Sequence, residues 1–235
     1  ERETAKAVEL AGGKGTLVHV NDLIERPNIL EDKQGFILPG GFSFGDELGS
    51  GRILSYKLLH FLGEELERFK SKGLPILGIC NGFQVLVKMG WLPGDIQVTD
   101  ESHSRASLIS NKDGKFLDRW ADVDVDRRLC LWTQSGRTPS HMVLPVRNGE
   151  GRYIMPFSGQ SSEFVRFRES GQLVFEYSGE SAAVAGVCND RGNILGLMPH
   201  PEAACFDHLL PAGMRSQKEA FGLTLFENAV RILNS

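Results

Sequence analysis

Cys80 stands in a sequence setting that could make its thiol a nucleophile. It lies in Gly78-Ile79-Cys80-Asn81-Gly82, directly after an apolar run typical of a buried strand and directly before a predicted helix. A cysteine on such a strand-to-helix turn, with glycines where the backbone doubles back, is the arrangement of a nucleophile elbow. The free N–H groups at the helix start would favour a thiolate and could bind an oxyanion. The alternative is a small core cysteine, because cysteine is common in protein interiors.

A candidate base and its partner occur together near the end of the chain. A thiol nucleophile needs a base nearby, and an imidazole base needs a carboxylate that fixes its tautomer. His200 and Glu202 are two residues apart in Met198-Pro199-His200-Pro201-Glu202, a turn that its prolines stiffen. They could serve Cys80 in these two roles. Taken alone, this segment fits a loop with a merely hydrogen-bonded histidine equally well.

Alternating strands and helices must position these two segments. Apolar runs and periodicities predict strands over 16–20, 35–38, 74–79, 123–125, 142–146, 173–177, 184–188 and 194–197, and helices over 2–11, 52–70, 81–89 and 217–233. The alternation predicts an α/β fold, a doubly wound, mostly parallel sheet with flanking helices. Residues 189–193 predict a hairpin between the last two strands. No repeat or linker divides the chain, so residues 1–235 are predicted to form a single domain.

Composition argues against several classes of function. Apolar residues make up 41% and charged residues 24% of the chain, as in ordinary globular proteins. A net charge of -4 argues against a nucleic-acid partner, which would require a basic excess or a basic face. No apolar run is long enough for a membrane-spanning helix, and four widely spaced cysteines indicate reduced thiols in a cytoplasmic protein. Cys205, Asp207 and His208 lack a fourth donor, so no metal site is predicted.

Several motifs together resemble the class I (triad) glutamine amidotransferases. More narrowly, the chain resembles the glutaminase subunit of phosphoribosylformylglycinamidine synthase, an enzyme of the purine pathway. The resemblance covers nearly the whole chain in the right order, and the combination is highly specific. The matching segments are 38–46, 80–84, 114–120, 144–145, 149–153 and 198–202.

This resemblance implies a reaction and the residues that perform it. Cys80 would attack the side-chain amide of glutamine, and His200, held by Glu202, would protonate the departing ammonia. Water would then hydrolyse the glutamyl thioester, with His200 as the base. The backbone N–H groups of Gly41 and Asn81 would hold the oxyanion. The implied substrate-binding residues are Gln84, Gly40 and Phe42, and the loop 111–116 is a further candidate for holding the amino and carboxylate groups of the substrate.

The resemblance implies partner subunits and no cofactor in this chain. Ammonia would pass to a synthetase subunit that converts formylglycinamide ribonucleotide to formylglycinamidine ribonucleotide in de novo purine biosynthesis. A small accessory subunit would assist assembly. The resemblance implies that ATP and magnesium bind the synthetase. The glycine-rich segment 40–45 of this chain lacks the lysine of a phosphate loop.

Some features depart from the family pattern. Asn148 stands where a histidine is usual, segment 178–181 replaces an Asn-Pro-Asn-Gly turn, and Ala203 stands where an arginine is usual. The family also begins with a strand just before the helix at 2–11. In a sheet of order 2-1-3-4 that strand would lie between those predicted over 16–20 and 35–38. We therefore expect about 15 further residues upstream and, without them, an open slot between these two strands.

Two other functions fit part of the pattern. A glutaminase of another pathway would share the fold and the triad, but the segments 42–46 and 81–84 argue against it. A catalytically silent regulatory relative should have lost the nucleophile, the base or the orienting carboxylate. Cys80, His200 and Glu202 are all present.

Overall fold

The computed structural model describes residues 1–41, 51–94, 106–155, 157–179, 183–213 and 221–234. The helices are α1 (Arg2–Leu10), α2 (Val20–Glu25), α3 (Arg52–Ser71), α4 (Asn81–Lys88), α5 (Ser162–Glu169) and α6 (Gly222–Leu233). The strands are β1 (Phe36–Leu38), β2 (Ile76–Ile79), β3 (Ser107–Ile109), β4 (Leu117–Val125), β5 (His141–Asn148), β6 (Arg152–Ile154), β7 (Leu173–Tyr177), β8 (Val184–Cys188) and β9 (Ile194–Leu197). Short 3₁₀ turns cover Pro27–Leu30, Pro201–Ala204 and Asp207–Leu209.

Seven strands form one mixed sheet with the order β1-β2-β9-β8-β7-β4-β5. The pairs β1–β2 and β2–β9 are parallel, and the remaining neighbours are antiparallel. The predicted α/β fold with flanking helices is confirmed, but the sheet is mixed and not mostly parallel. The consecutive strands β4 and β5, β7 and β8, and β8 and β9 pair antiparallel, which needs no crossover, whereas parallel neighbours need long crossovers. The hairpin predicted over 189–193 is one of these connections and joins β8 to β9.

The three parallel strands carry the segments that matter for chemistry. All four residues of β2 are buried between β1 and β9, which explains its uninterrupted apolar sequence. On one side α3 buries a stripe of apolar side chains that includes Leu58, Leu62 and Leu66. The chain leaves β2 at Cys80 and leaves β9 just before His200. Because parallel strands end at the same sheet edge, these two segments meet there.

The prediction of a strand over residues 16–20 is wrong. Residues 13–19 form neither helix nor strand, α2 begins at Val20, and Leu17 is 56% exposed. A strand needs a neighbour for its backbone groups, and in the described ranges β1 pairs with β2 alone. A cavity of about 590 Å³ lies between residues 12–18 and 34–37.

Several elements have weak sequence signals. The sequence predicts only part of β4 and part of β5. It predicts neither the strands β3 and β6 nor the helices α2 and α5. β3 and β6 pair antiparallel in a separate two-stranded sheet. Three residues give too few alternations to recognise a strand.

In the ranges given above, no helix is long and apolar enough to cross a membrane. The single-domain organisation stays a prediction.

Candidate active site

Cys80 occupies the sharp turn between β2 and α4. Its φ of 50° and ψ of −103° are values that a residue with a side chain rarely adopts, so the turn is strained. Two backbone hydrogen bonds hold it: the Cys80 N–H donates to the Leu197 carbonyl at 2.8 Å, and the Gln84 N–H donates to the Cys80 carbonyl at 3.1 Å. The Cys80 thiol itself donates to the Arg147 carbonyl at 3.5 Å. The predicted strand–cysteine–helix turn is therefore present, anchored to β9 and β5.

The two glycines of this turn allow close backbone contacts. A Cβ at Gly82 would lie 2.0 Å from the Leu38 carbonyl oxygen, so α4 packs directly on the end of β1. A Cβ at Gly78 would lie 2.6 Å from the Gly82 carbonyl oxygen. Any side chain at either position would push β1, β2 and α4 apart.

His200 and Glu202 lie together in the turn that follows β9. The His200 Nδ1 is 2.8 Å from the Glu202 Oε1, and their side chains are only 11% and 5% exposed. The His200 N–H donates to the Pro145 carbonyl at 2.8 Å, which fixes the turn to β5. A Cβ at Gly40 would lie 2.6 Å from His200 Cε1 and 3.5 Å from Cys80 Cβ. The imidazole and the thiol-bearing residue therefore meet at the end of β1.

The surroundings of His200 favour its protonated form. Burial alone would lower the pKa of His200, but Cys80 and Glu202 outweigh it and raise that pKa to about 9. Cys80 raises the pKa of His200 because it lies near the ring. His200 Nε2 nevertheless makes no hydrogen bond of ordinary geometry within the described residues. Protonated at neutral pH and without a fixed partner at Nε2, His200 could donate a proton to a reacting group.

The two residues predicted to hold an oxyanion each follow a residue of this centre: Asn81 follows Cys80, and Gly41 follows Gly40, which lies against His200. Asn81 is the first residue of α4, so its N–H belongs to the unpaired group at a helix start. Gly41 follows β1 with a φ of 137°, a conformation that favours glycine. The contact between Leu38 and Gly82 brings these two chain segments together. Their role as oxyanion donors stays a prediction.

The predicted substrate-binding residues have different settings. Gln84 is only 4% exposed; its Nε2 donates to the Glu150 carbonyl at 2.7 Å, and its Oε1 accepts from Asn81 Nδ2 at 3.1 Å. It therefore ties α4 to the loop after β5. Gly40 lies against His200, and Phe42 lies outside the described residues. Substrate contacts at these three positions stay predictions.

Comparison with known proteins identifies the family. The CobB/CobQ-like glutamine amidotransferase domain matches residues 1–232. This chain belongs to that family. The phosphoribosylformylglycinamidine synthase subunit PurQ of Treponema denticola is 34% identical over 224 residues, which is 85% of this chain and 82% of the relative.

Further relatives support the narrower grouping of this amidotransferase. PurQ of Dehalococcoides mccartyi is 35% identical over 239 residues, covering 97% of this chain and 91% of the relative. A chain in the structure of PurLQS from Thermotoga maritima aligns with a TM-score of 0.73 at 29% identity, covering 99% of this chain and 92% of that one. The predicted family, and the prediction that the chain is an amidotransferase enzyme, are confirmed.

The amidotransferase site also contains groups that its sequence did not reveal. Main-chain carbonyls of Pro145 and Arg147 contact the His200 turn and the Cys80 thiol, and backbone groups leave no signature in side-chain patterns. The Asn111 side chain donates to the Asn148 carbonyl at 2.9 Å and so shapes the loop after β5. In the described part of the chain, no three His, Cys, Asp or Glu side chains are grouped to bind a metal ion. That the chain needs no cofactor stays a prediction.

Proposed function

We propose that this chain hydrolyses glutamine to glutamate and ammonia with Cys80, His200 and Glu202, as the glutaminase subunit of a phosphoribosylformylglycinamidine synthase. The observation that carries this proposal is the convergence of a strained Cys80 with a buried His200–Glu202 pair at 2.8 Å. The PurQ relatives support the choice of pathway.

In the first half of the reaction, the Cys80 thiolate attacks the amide carbon of glutamine. A carbon–sulfur bond forms, and the carbonyl oxygen becomes an oxyanion near the N–H groups of Gly41 and Asn81. His200, whose pKa of about 9 keeps it protonated at neutral pH, donates its Nε2 proton to the leaving nitrogen. The carbon–nitrogen bond breaks, releasing ammonia and leaving a glutamyl thioester.

In the second half, water replaces ammonia. Neutral His200 takes a proton from the water, whose oxygen attacks the thioester carbon. The carbon–sulfur bond breaks, glutamate leaves, and the Cys80 thiolate and protonated His200 are restored. Glu202 holds the ring through Nδ1 in both halves, so that Nε2 faces the reacting atoms in each.

We propose that the ammonia is consumed by a synthetase subunit that makes formylglycinamidine ribonucleotide. That subunit would bind the ATP and magnesium, and a small accessory subunit would complete a cytoplasmic assembly. The PurQ names of the relatives and the PurLQS name of the Thermotoga maritima structure support this arrangement.

The test is glutamate release by the isolated chain and by the chain mixed with the synthetase, ATP and formylglycinamide ribonucleotide. A free glutaminase would waste glutamine, so we expect partner and nucleotides together to raise the rate by at least about tenfold. Equal, full activity without the partner would contradict the proposed coupling. An absence of glutamate in both mixtures would contradict the glutaminase proposal itself.

A further inference from the structure

The turn that carries His200 and Glu202 packs against the start of α6. All four residues of the 3₁₀ turn Pro201–Ala204 are buried. Gly222, the first residue of α6, is the point of closest approach: a Cβ there would lie 2.1 Å from the Pro201 carbonyl oxygen and 2.7 Å from the Ala204 carbonyl oxygen. These are backbone atoms, so no side-chain rotation could relieve the contact. The helix and the turn can approach this closely only because Gly222 has no side chain.

α6 is itself firmly held at its middle. The Asn228 side chain is buried, and its Nδ2 donates to the Trp132 carbonyl and to Thr138 Oγ1, both at 2.8 Å. Leu225 and Phe226 on the same helix are buried in the core. By contrast, the Pro201 carbonyl accepts a long hydrogen bond from the Cys205 thiol at 3.5 Å, and the Ala203 N–H donates to the His200 carbonyl at 3.2 Å. A group inserted between helix and turn should therefore displace the turn.

We propose that α6 positions the His200–Glu202 pair through the direct contact of Gly222, which has no side chain, with the Pro201 carbonyl. Pro201 lies between His200 and Glu202 in the chain, so a displacement of its carbonyl moves the imidazole and the carboxylate together. The proposal rests on the glutaminase function and adds a positioning residue on an element that contributes no reacting group.

The size of the effect follows from the distances. Cβ contacts below 3.0 Å essentially do not occur, so a methyl group at Gly222 would require a shift of about 1 Å at Pro201. A misplacement of that size can cost up to about a hundredfold in rate. For Gly222→Ala we expect kcat for glutamine hydrolysis to fall by about 10–100-fold and KM to change less than about threefold, because β1 and α4 are not displaced.

Gly63→Ala is the matched control. Gly63 also lies in a helix, α3, but no atom lies within 4 Å of where its Cβ would be. Both changes add the same methyl group to a helical residue. Gly63→Ala should leave kcat, KM and the pH profile unchanged. A comparable loss of kcat in Gly63→Ala would overturn the proposal.

Two further readouts separate positioning from simple loss of stability. Because Glu202 helps to keep His200 protonated, Gly222→Ala should move the alkaline limb of the kcat profile to lower pH. Alkylation of Cys80 by iodoacetamide at pH 6, normalised to folded protein, should slow because the displaced His200 imidazolium would stabilise the Cys80 thiolate less. An unchanged profile and unchanged alkylation in folded Gly222→Ala would overturn the proposal.

A second variant tests the same proposal if Gly222→Ala does not fold. Asn228→Ala removes the hydrogen bonds that anchor α6 and should lower kcat and shift the pH profile in the same direction, by a smaller factor. A lower melting temperature with both kinetic readouts unchanged would show that α6 is only structural. The alkylation rates need no glutamine, so they test the positioning even if the glutaminase assay fails.

Discussion

At the residue scale, His200 shows how burial and charge compete in this site. A buried imidazolium is costly because it loses its hydration, and the Glu202 carboxylate at 2.8 Å and the neighbouring Cys80 offset that cost. The second carboxylate oxygen, Glu202 Oε2, is buried without a hydrogen-bond partner in the described residues. Glu202 therefore depends on His200 as much as His200 depends on Glu202, and loss of either should affect both stability and catalysis.

The raised pKa of His200 predicts that stability depends on pH. Its folded-state pKa of about 9 lies above its ordinary value of 6.5. Protonated His200 therefore stabilises the folded state fully below pH 6.5, and this contribution is lost as the pH rises through 9. Between pH 6 and 10, urea titrations should show the free energy of unfolding falling by about 1–3 kcal/mol more in wild type than in Glu202→Gln. Parallel pH curves for the two proteins would contradict the assignment.

Variants of the pair should differ in severity. His200→Ala removes the proposed proton donor and should lower kcat for glutamine hydrolysis by at least about 10⁴-fold. Glu202→Gln loses the charge but keeps a group that can orient the ring, so we expect it to be about a hundredfold less severe. Steady-state kinetics with the synthetase present would measure both. Equal losses would mean that Glu202 acts through its charge alone.

The sequence indicates Cys80, His200 and Glu202 as candidates because the features that single them out are local. Gly78-Ile79-Cys80-Asn81-Gly82 and the His-Pro-Glu turn each combine a reactive side chain with the residues that shape its backbone. Contacts to the Arg147 and Pro145 carbonyls join distant segments through main-chain atoms that every residue has. Such contacts cannot be predicted from one sequence, and the same is true of the close contact between Gly222 and the 3₁₀ turn Pro201–Ala204.

At the element scale, the strand–cysteine–helix turn at Cys80 is positioned by close backbone contacts among β1, β2 and α4. β2 delivers Cys80 to the sheet edge, and α4 places its N-terminal N–H groups beside it. Gly40, two residues after the end of β1, lies against the His200 ring. The strain at Cys80 is tolerated because hydrogen bonds to β9 and within α4 hold both sides of the turn.

Gly82→Ala tests this close packing. Its Cβ would lie 2.0 Å from a main-chain oxygen of β1, and backbone atoms cannot move aside as a flexible side chain can. We expect a loss of at least about 2 kcal/mol in the free energy of unfolding, measured by urea denaturation. Gly136→Ala, where no atom lies within 4 Å of the added Cβ, should stay within about 0.5 kcal/mol of wild type.

Strands were predictable where they are buried on both faces. β2 and β9 are entirely buried, so their apolar runs indicate strands without ambiguity. Residues 16–20 show a similar run, yet they form no strand, because a sheet neighbour and not local propensity decides the outcome. The predicted mostly parallel sheet failed for a related reason: strand direction depends on connections that are hard to recognise in the irregular segments after residue 106.

At the scale of the whole molecule, the site lies where the two halves of the sheet meet. β9 pairs parallel with β2 on one side and antiparallel with β8 on the other, and it leads directly to His200. The antiparallel half contributes β5, whose carbonyls contact both Cys80 and the His200 turn. Formation of the candidate active site therefore depends on both halves being folded.

The most direct test of the proposed function compares two nitrogen sources in the assembly with the synthetase. Formylglycinamidine ribonucleotide would be measured with glutamine and, separately, with ammonium chloride, for wild type, Cys80→Ala and the buried-cysteine control Cys188→Ala. We predict that Cys80→Ala loses the glutamine-dependent reaction and keeps the ammonia-dependent one, because only ammonia release needs the thiolate, while Cys188→Ala keeps both. Glutamine-dependent synthesis by Cys80→Ala at the wild-type rate would contradict the account.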